Sequence, residues 1–359
     1  MSSLTFSRPL ALWEADLKLS PVGEEPVLSS AEHCKTNLAS ATPLVPYLLV
    51  DAELERVEQR LSGLLQSREP LLNEIGQYLI SAGGKRIRPA VALLVFRACG
   101  GQEAADIVDV ATALELIHSA SLLHDDIIDG GELRRGKASA FHRFGLADTL
   151  VAGDFLFGRA FALCGRFEEK VITWATDACI SLTEGEVMQG RFRHNPHVTT
   201  RDYLEIISRK TAALFAQGAR MGAHLAGASA AVVESMAACG FHVGMAFQII
   251  DDLLDIEGDG GRTGKPTGAD LKDGNPSLPL VLAIALDPEV KRIFQKQRPT
   301  SQEIALALEQ VRRSGVLTEV DRLARFYGQQ ALSALKQLEP SPYYDSLALF
   351  VHQLVERTA

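Results

Sequence analysis

From residue 50 onward, apolar residues recur at steps of three and four positions, which is the spacing of amphipathic helices. In the first such stretch, Leu54, Val57 and Leu61 are separated by glutamates and arginines. Runs that alternate at every second residue, as in strands, are almost absent. Apolar stretches of helical length follow at 71–79, 89–99, 104–128, 140–164, 171–189, 201–225, 230–256, 278–285, 301–314 and 317–338. The pattern predicts an all-α fold.

The first 46 residues differ from the rest, because they contain five prolines and show little periodicity. We predict that residues 1–46 are an N-terminal extension, partly disordered, and that residues 47–359 form one all-helical domain. A weakly amphipathic segment from Leu10 to Leu19 is expected to dock on the body of the protein. Within the domain, glycines and prolines mark helix ends, most densely between Glu257 and Pro279.

Three carboxylates, Asp125, Asp126 and Asp129, interrupt an otherwise apolar helical stretch. At about 100° per residue they fall within an arc of roughly 100°, so they share one helix face. The second cluster, with the same spacing, consists of Asp251, Asp252 and Asp255. Burying six like charges without a compensating cation would raise their pKa values and cost several kcal/mol. We therefore predict a cation site between two long helices that face each other across a cavity.

Composition narrows the function classes. A net charge of −9 argues against a general nucleic-acid binder. The five cysteines, at 34, 99, 164, 179 and 239, form no close pairs, which favours a reducing, cytoplasmic compartment. The chain shows neither a signal-peptide pattern nor about 18 uninterrupted apolar residues, so we predict no transmembrane segment and leave peripheral membrane contact open.

Basic residues flank the first cluster. Gly83-Gly84 precedes Lys85, Arg86 and Arg88, and Arg134-Arg135-Gly136-Lys137 follows the aspartates. Glycines let a backbone approach a ligand closely, and the cations supply charge-assisted donors for phosphate oxygens. Carboxylates without histidine or cysteine ligands suit Mg²⁺, which bridges them to phosphate oxygens. The order basic, acidic, basic therefore predicts a Mg²⁺–diphosphate site.

These residues resemble the trans-isoprenyl diphosphate synthases, also called polyprenyl synthetases, over about Leu54 to Val355. The shared motifs are Gly83–Pro89, His118, Asp125–Asp129 with Arg134-Arg135-Gly136, Gly153-Asp154, Glu184-Gly185-Glu186 with Gln189, Lys210-Thr211, Phe247-Gln248, Asp251–Asp255, Gly264-Lys265-Pro266 and Asp270-Leu271. The resemblance implies a single large helical bundle around a central cavity, of the isoprenoid synthase type.

The resemblance also assigns roles to individual residues. The implied metal ligands are Asp125, Asp126, Asp129, Asp251, Asp252 and Asp255, which would hold about three Mg²⁺ ions, with Mn²⁺ as a substitute. The implied contacts to the diphosphate of isopentenyl diphosphate are Lys85, Arg88, His118 and Arg135. The implied contacts to the allylic diphosphate are Arg134, Lys210 and Lys265. Lys210, Thr211 and Gln248 would line the reacting carbons. The bare sequence would leave Glu184 and Glu186 as solvated helix charges.

The implied reaction is the Mg²⁺-dependent head-to-tail (1′-4) condensation of isopentenyl diphosphate with an allylic prenyl diphosphate. One motif departs from many relatives, which carry Gly-Lys-x-Thr/Ser where this chain has Gly274-Asn275-Pro276-Ser277. Asn275 can donate a hydrogen bond but brings no charge, so one diphosphate contact is in doubt. A similar asparagine occurs in members that make medium or long products.

Product length is predicted from the residues that precede Asp125. Ala120 and Ser121, about one turn earlier, are small where short-chain members tend to carry aromatic residues. Ile117 and Leu114 lie deeper and are candidates to stop the growing chain. We predict a product longer than C20, within about C30 to C50.

Three alternatives stay open at this point. One is a farnesyl or geranylgeranyl diphosphate synthase of the same family, and another is a terpene cyclase or head-to-head synthase, which lacks a second diphosphate site. The third is a non-catalytic regulatory subunit, although such subunits usually lose an aspartate cluster. The family's habit also suggests a homodimer.

Overall fold

The computed structural model describes residues 47–81, 83–134, 136–258 and 267–356. The predicted extension, 1–46, lies outside the described residues. After a short 3₁₀ turn at Leu48–Val50, the helices are α1 Asp51–Leu64, α2 Pro70–Ser81, α3 Ile87–Ala98, α4 Ala105–Ile128, α5 Ala140–Phe144, α6 Leu146–Cys164, α7 Glu169–Phe192, α8 Thr200–Ile207, α9 Ala213–Leu225, α10 Ala230–Glu257, α11 Ala269–Asp273, α12 Leu278–Leu286, α13 Pro288–Phe294, α14 Ser301–Arg313, α15 Val316–Leu335 and α16 Pro342–Val355. A π-helical turn, Ser208–Ala212, joins α8 to α9.

The helices form a bundle in which α9 lies at the centre. It packs against α10 on one side and against α3, α4 and α7 on others, while α6 covers α4 and α15 covers α10. The strands described are two residues each, Leu133–Arg134 antiparallel to Lys137–Ala138, and they form a hairpin after α4. The all-α prediction is confirmed.

Helices α4 and α10 carry the two aspartate clusters. Both helices are long and apolar enough to cross a membrane, judged by length and composition alone. Among the described residues, these two helices meet that criterion. More than half of the most apolar stretch of each is buried inside the bundle. Helix α4 is apolar on almost every face because neighbouring helices surround it, which is the pattern of a central core helix.

The periodicity did not reveal two interruptions. The stretch 140–164 divides at Gly145, whose φ of +83° ends α5 and begins α6. The stretch 201–225 contains the π turn, where one extra residue per turn shifts the side chains that follow. The pattern also missed α13 and α16, two helices that begin with proline in the first turn.

Two glycines, one on α7 and one on α10, allow these helices to approach the π turn closely. A Cβ on Gly185 of α7 would lie 2.4 Å from the backbone nitrogen of Lys210. A Cβ on Gly244 of α10 would lie 2.6 Å from the Cα of Ala212. Because neither position has room for a side chain, α7 and α10 contact the turn backbone to backbone. Packing therefore sets the orientation of Lys210 and Thr211.

Candidate active site

The first aspartate cluster lies at the C-terminal end of α4, and each of its carboxylates faces a cation. Lys210 Nζ lies 3.9 Å from Asp125 Oδ2. Arg134 Nε lies 2.5 Å from Asp126 Oδ1. Asp129 forms an ion pair with Arg193, which follows α7. The cluster is therefore a meeting point of three basic side chains from three different segments.

Asp126 differs from its neighbours in the cluster because both of its oxygens are engaged. Oδ1 pairs with Arg134 of the hairpin, and Oδ2 accepts a hydrogen bond of 3.2 Å from the backbone N–H of Ala140. The side chain is almost fully buried. Asp126 thus attaches the hairpin and the start of α5 to the end of α4.

The second cluster also combines carboxylates whose two oxygens are both engaged with one that is exposed. Asp252 is buried, and its oxygens accept hydrogen bonds from Gln248 Nε2 at 2.9 Å and from the backbone N–H of Leu278 at 3.1 Å. Asp255 accepts the backbone N–H groups of Ala269 and Asp270 at 3.1 and 3.2 Å, at the start of α11. Asp251 is exposed on the surface of α10.

The π turn connects the two clusters through a continuous series of polar contacts. Lys210 faces Asp125, and the next residue, Thr211, donates a hydrogen bond of 2.8 Å to Gln248 Oε1. The amide nitrogen of Gln248 then donates to Asp252. The structure therefore brings together Lys210, Thr211 and Gln248, the three residues predicted to line the reacting carbons.

Burial perturbs the ionisable groups here. Removal from water raises the pKa of Asp125 to about 7, with Glu186 and Asp129 adding repulsion and Lys210 opposing the shift. Burial likewise raises the pKa of Asp252 to about 7, although Gln248 and the Leu278 N–H oppose it. The chain's own cations thus do not fully compensate the buried carboxylates, which is the environment that a bound divalent cation fits.

Among the residues that the structure describes, no three or more His, Cys, Asp or Glu side chains lie close enough to hold a metal ion by themselves. Isolated carboxylates from two helices nevertheless match the way Mg²⁺ is bound beside phosphates, where one or two carboxylates share the ion with substrate oxygens and water. Asp125, Asp129 and Asp251 suit this role, because the other three aspartates already accept hydrogen bonds on both oxygens.

The predicted isopentenyl diphosphate residues lie at the entry to α3. Lys85 is exposed, and the Arg88 guanidinium lies 5.0 Å from the ring centroid of Phe215 and 5.9 Å from that of Phe247. Arg86, which has a left-handed backbone with a φ of +47°, points inward to Glu115 at 2.9 Å and also pairs with Glu58. Arg86 therefore anchors the segment, while Lys85 and Arg88 stand on either side of it.

His118 of α4 is partly buried, and its carbonyl accepts a hydrogen bond of 2.8 Å from Ser121 Oγ. Ala120, Ile117 and Leu114 are buried in the core, and Leu114 lies against Gly218 of α9. Whether a growing chain passes these residues stays a prediction. Arg135 and Lys265, predicted to contact the two diphosphates, lie outside the described residues.

Residues 69–311 match the family model described as "Polyprenyl synthetase". The chain belongs to this family. It is 36% identical over 298 residues to an octaprenyl diphosphate synthase of Escherichia coli (strain K12), covering 82% of this chain and 92% of the relative. The similarity confirms the predicted family and enzyme class: the protein is a prenyltransferase.

Solved structures of the family share the fold. A polyprenyl synthase of Caulobacter crescentus CB15, complexed with calcium and isoprenyl diphosphate, has a TM-score of 0.83 and 34% identity, covering 88% of this chain and 97% of the other. A decaprenyl diphosphate synthase from Rhodobacter capsulatus has a TM-score of 0.81 and 30% identity, covering 88% and 98% of the two chains. The predicted helical bundle of the isoprenoid synthase type is confirmed.

Two residues of this polyprenyl synthetase site were not among the predicted site residues. Glu186 of α7 forms an ion pair with Lys210, because Gly185 brings α7 against the π turn. Arg193 pairs with Asp129 and donates a hydrogen bond of 3.0 Å to Asn275 Oδ1. The sequence signal for Glu186 was a glycine between two glutamates on a helix. Arg193, in the polar link between α7 and α8, had no comparable signal.

Proposed function

We propose that this protein is a Mg²⁺-dependent trans-polyprenyl diphosphate synthase that adds isopentenyl diphosphate to an allylic prenyl diphosphate by head-to-tail (1′-4) condensation. The product is a chain of about C30 to C50. The observation that carries the proposal is the series of contacts from Asp125 through Lys210, Thr211 and Gln248 to Asp252. It places a cation and two neutral dipoles between two carboxylate clusters.

In this proposal Asp125, Asp129 and Asp251 would hold the divalent metal, with Mg²⁺ as the natural ion and about three ions at the site. A divalent ion held by these residues would supply the positive charge that stabilises the departing diphosphate. Asp126, Asp252 and Asp255 position the segments around it, since their oxygens already accept hydrogen bonds.

The chain's own residues complete the site for the reaction. Lys210 and Arg134 contribute positive charge toward the allylic diphosphate, and Lys265 joins them by the family resemblance. By the family resemblance, Thr211 and Gln248 line the reacting carbons, where their oxygen dipoles would stabilise developing positive charge. The isopentenyl double bond attacks the allylic carbon, and the proton lost from it passes to the released diphosphate.

The second substrate binds at the entry to α3. Lys85 and Arg88, with His118 and Arg135, hold the diphosphate of isopentenyl diphosphate. The buried Glu115 positions this segment, because it forms an ion pair with Arg86. A separate site for a second diphosphate favours chain elongation over cyclisation or head-to-head coupling.

Product length is supported by small residues near the metal site and by the relatives. Ala120 and Ser121 leave the first turn before Asp125 without an aromatic side chain. Similar proteins include a solanesyl-diphosphate synthase of Oryza sativa subsp. japonica at 32% identity, as well as the octaprenyl and decaprenyl synthases above. Geranylgeranyl synthases are also similar, so a C20 product is the alternative that the assay must distinguish.

The test is to incubate the purified full chain with Mg²⁺, farnesyl diphosphate and labelled isopentenyl diphosphate, and then to size the dephosphorylated products. Products of about C30 to C50 are expected. Products of C15 or C20 alone would refute the long-chain assignment, and a cyclised hydrocarbon would favour a terpene cyclase. No turnover by the protein alone would favour the regulatory subunit.

A cytoplasmic homodimer is the assembly that we propose. Exposed apolar side chains on α6 and α7, including Leu146, Val151, Ile180 and Val187, are available for a second copy. A similar protein from Bacillus subtilis (strain 168) is named component 2 of a heptaprenyl diphosphate synthase, so a heteromer is the other outcome. Light scattering of the purified chain decides, and Val187→Arg should favour the monomer. Cys99, Cys164, Cys179 and Cys239 are free, which supports a reducing compartment.

A further inference from the structure

Arg193 lies between the C-terminal end of α4, which carries the first aspartate cluster, and the loop beside the second cluster. Its Nη1 donates to the carbonyl oxygen of Ile128 at 3.2 Å, one of the last carbonyls of α4, and Nη2 pairs with Asp129. Its Nε donates to Asn275 Oδ1 at 3.0 Å. Asn275 belongs to the loop that leads to Leu278, whose N–H binds Asp252. One guanidinium thus connects the end of α4 with the loop beside the second cluster.

The backbone next to Arg193 is fixed against the same loop. His194 has a left-handed backbone with a φ of +55°, which is rare for a residue with a side chain. Its N–H donates to the carbonyl of Gly274 at 2.9 Å, and its ring Nδ1 lies 3.0 Å from the carbonyl oxygen of Phe294. A Cβ on Gly274 would lie 2.2 Å from the His194 ring, so only glycine fits there. This packing holds Arg193 in place.

The guanidinium has capacity for a ligand. Arginine carries five N–H donors, and the three contacts use three of them. The side chain is 20% exposed, so it can be reached from solvent. A planar guanidinium is also suited to phosphate oxygens, which it can bind in pairs. Its partner Asp129 is a proposed metal ligand, so the proposed metal site adjoins this guanidinium.

We propose that Arg193 binds the allylic diphosphate, and that Asn275 holds Arg193 in the position from which it does so. This inference rests on the proposed function. It accounts for the neutral residue in Gly274-Asn275-Pro276-Ser277, because the positive charge at this place comes from Arg193, 3.0 Å away. Before substrate binds, Arg193 offsets the charge of Asp129, and the diphosphate replaces Asp129 as its principal anion.

The test compares the wild type with Arg193→Gln, Arg193→Lys and the double variant Arg193→Gln/Asn275→Lys. Arg191→Gln is the matched control, because it removes the same charge from an exposed position two residues earlier. Two quantities are measured: the Mg²⁺-dependent binding of inorganic diphosphate by calorimetry, and the KM values for farnesyl diphosphate and isopentenyl diphosphate. Thermal unfolding of each variant reports its folding.

In Arg193→Gln, diphosphate binding should weaken and the KM for farnesyl diphosphate should rise, each about tenfold to a hundredfold, the usual size of a lost charge-assisted contact. The KM for isopentenyl diphosphate should stay within about twofold. The lysine of the double variant should restore most of the loss, since it returns a cation to the same place. Arg191→Gln should match the wild type.

Unchanged diphosphate binding in Arg193→Gln overturns the inference. An equal rise in both KM values with a lowered melting temperature, without restoration by Asn275→Lys, also overturns it, because that pattern belongs to a structural residue. Should Arg193→Gln fail to fold, Arg193→Lys decides by whether only the KM for farnesyl diphosphate rises. A wild type that makes no polyprenyl product would refute the proposed function, while the calorimetric comparison still tests Arg193.

Discussion

Thr211 donates a 2.8 Å hydrogen bond to the side-chain oxygen of Gln248, and this contact joins the π turn to α10. Gln248 in turn donates to the buried Asp252. A π turn shifts the register of the residues that follow it, and such turns are frequent at functional sites. Here the shifted register allows Lys210 to face α4 while its neighbour Thr211 faces α10.

Thr211→Val should reduce kcat with little change in shape, because valine lacks the hydroxyl donor but has nearly the same size. Gln248 would lose a partner in a buried setting, so we expect a fall of about tenfold to a hundredfold in kcat. Thr176→Val is the matched control, since Thr176 bonds only its own helix, at the carbonyl of Ile172. An unchanged kcat in Thr211→Val would remove this contact from the mechanism.

Asp125 and Asp126 are adjacent in sequence, but replacing each by asparagine should affect turnover and stability differently. Asp125→Asn should abolish turnover and leave the melting temperature unchanged or higher, because it removes a buried charge whose pKa is raised to about 7. Asp126→Asn should lower stability by about 1 to 3 kcal/mol, since it weakens the attachment of the hairpin through Arg134. Denaturant unfolding and steady-state kinetics distinguish the two. Retained turnover in Asp125→Asn would refute its role as a metal ligand.

Substitutions at Ala120 and Ser121 test how product length is set. Ala120→Tyr or Ser121→Phe should shorten the main product by several isoprene units, because an aromatic ring would block the path of the growing tail. Both sites are buried, so a loss of about 1 to 3 kcal/mol is expected from overpacking. Ser119→Phe is the control, as Ser119 is equally buried on another side of α4. Unchanged products in both variants would mean that the tail runs elsewhere.

His242 of α10 should make stability fall in acid. Burial lowers its pKa to about 4, against about 6.5 in the unfolded chain. Between these values the unfolded state binds a proton that the folded state does not, so stability is present above pH 6.5 and is lost as pH falls toward 4. The expected loss is on the order of 2 to 3 kcal/mol.

Denaturant unfolding at pH 7.5, 5.5 and 4.5 measures this effect in the wild type and in His242→Phe. Phenylalanine keeps the ring contact with Tyr327 and cannot titrate. The difference between the two proteins isolates His242 from the aspartates, whose raised pKa values act in the opposite direction. The same pH dependence of the free energy of unfolding in both proteins would contradict the prediction.

The sequence by itself determined the helical fold, the two aspartate clusters and the flanking basic segments. These features are local: helix periodicity is written in residues three and four apart, and a cluster on one helix turn keeps its shape wherever the helix lies. The same is true of Lys85 and Arg88, which stand on either side of the anchoring Arg86.

Only the tertiary structure decided which oxygens and donors of these clusters are engaged. Asp126 and Asp252 share the spacing of their neighbours, yet both accept hydrogen bonds from segments distant in sequence. Arg193 reaches Asp129 because the link after α7 packs on Gly274, and Glu186 reaches Lys210 because Gly185 admits the π turn. Such partners depend on how helices pack and on where a turn is shifted, and no periodicity within one segment encodes them.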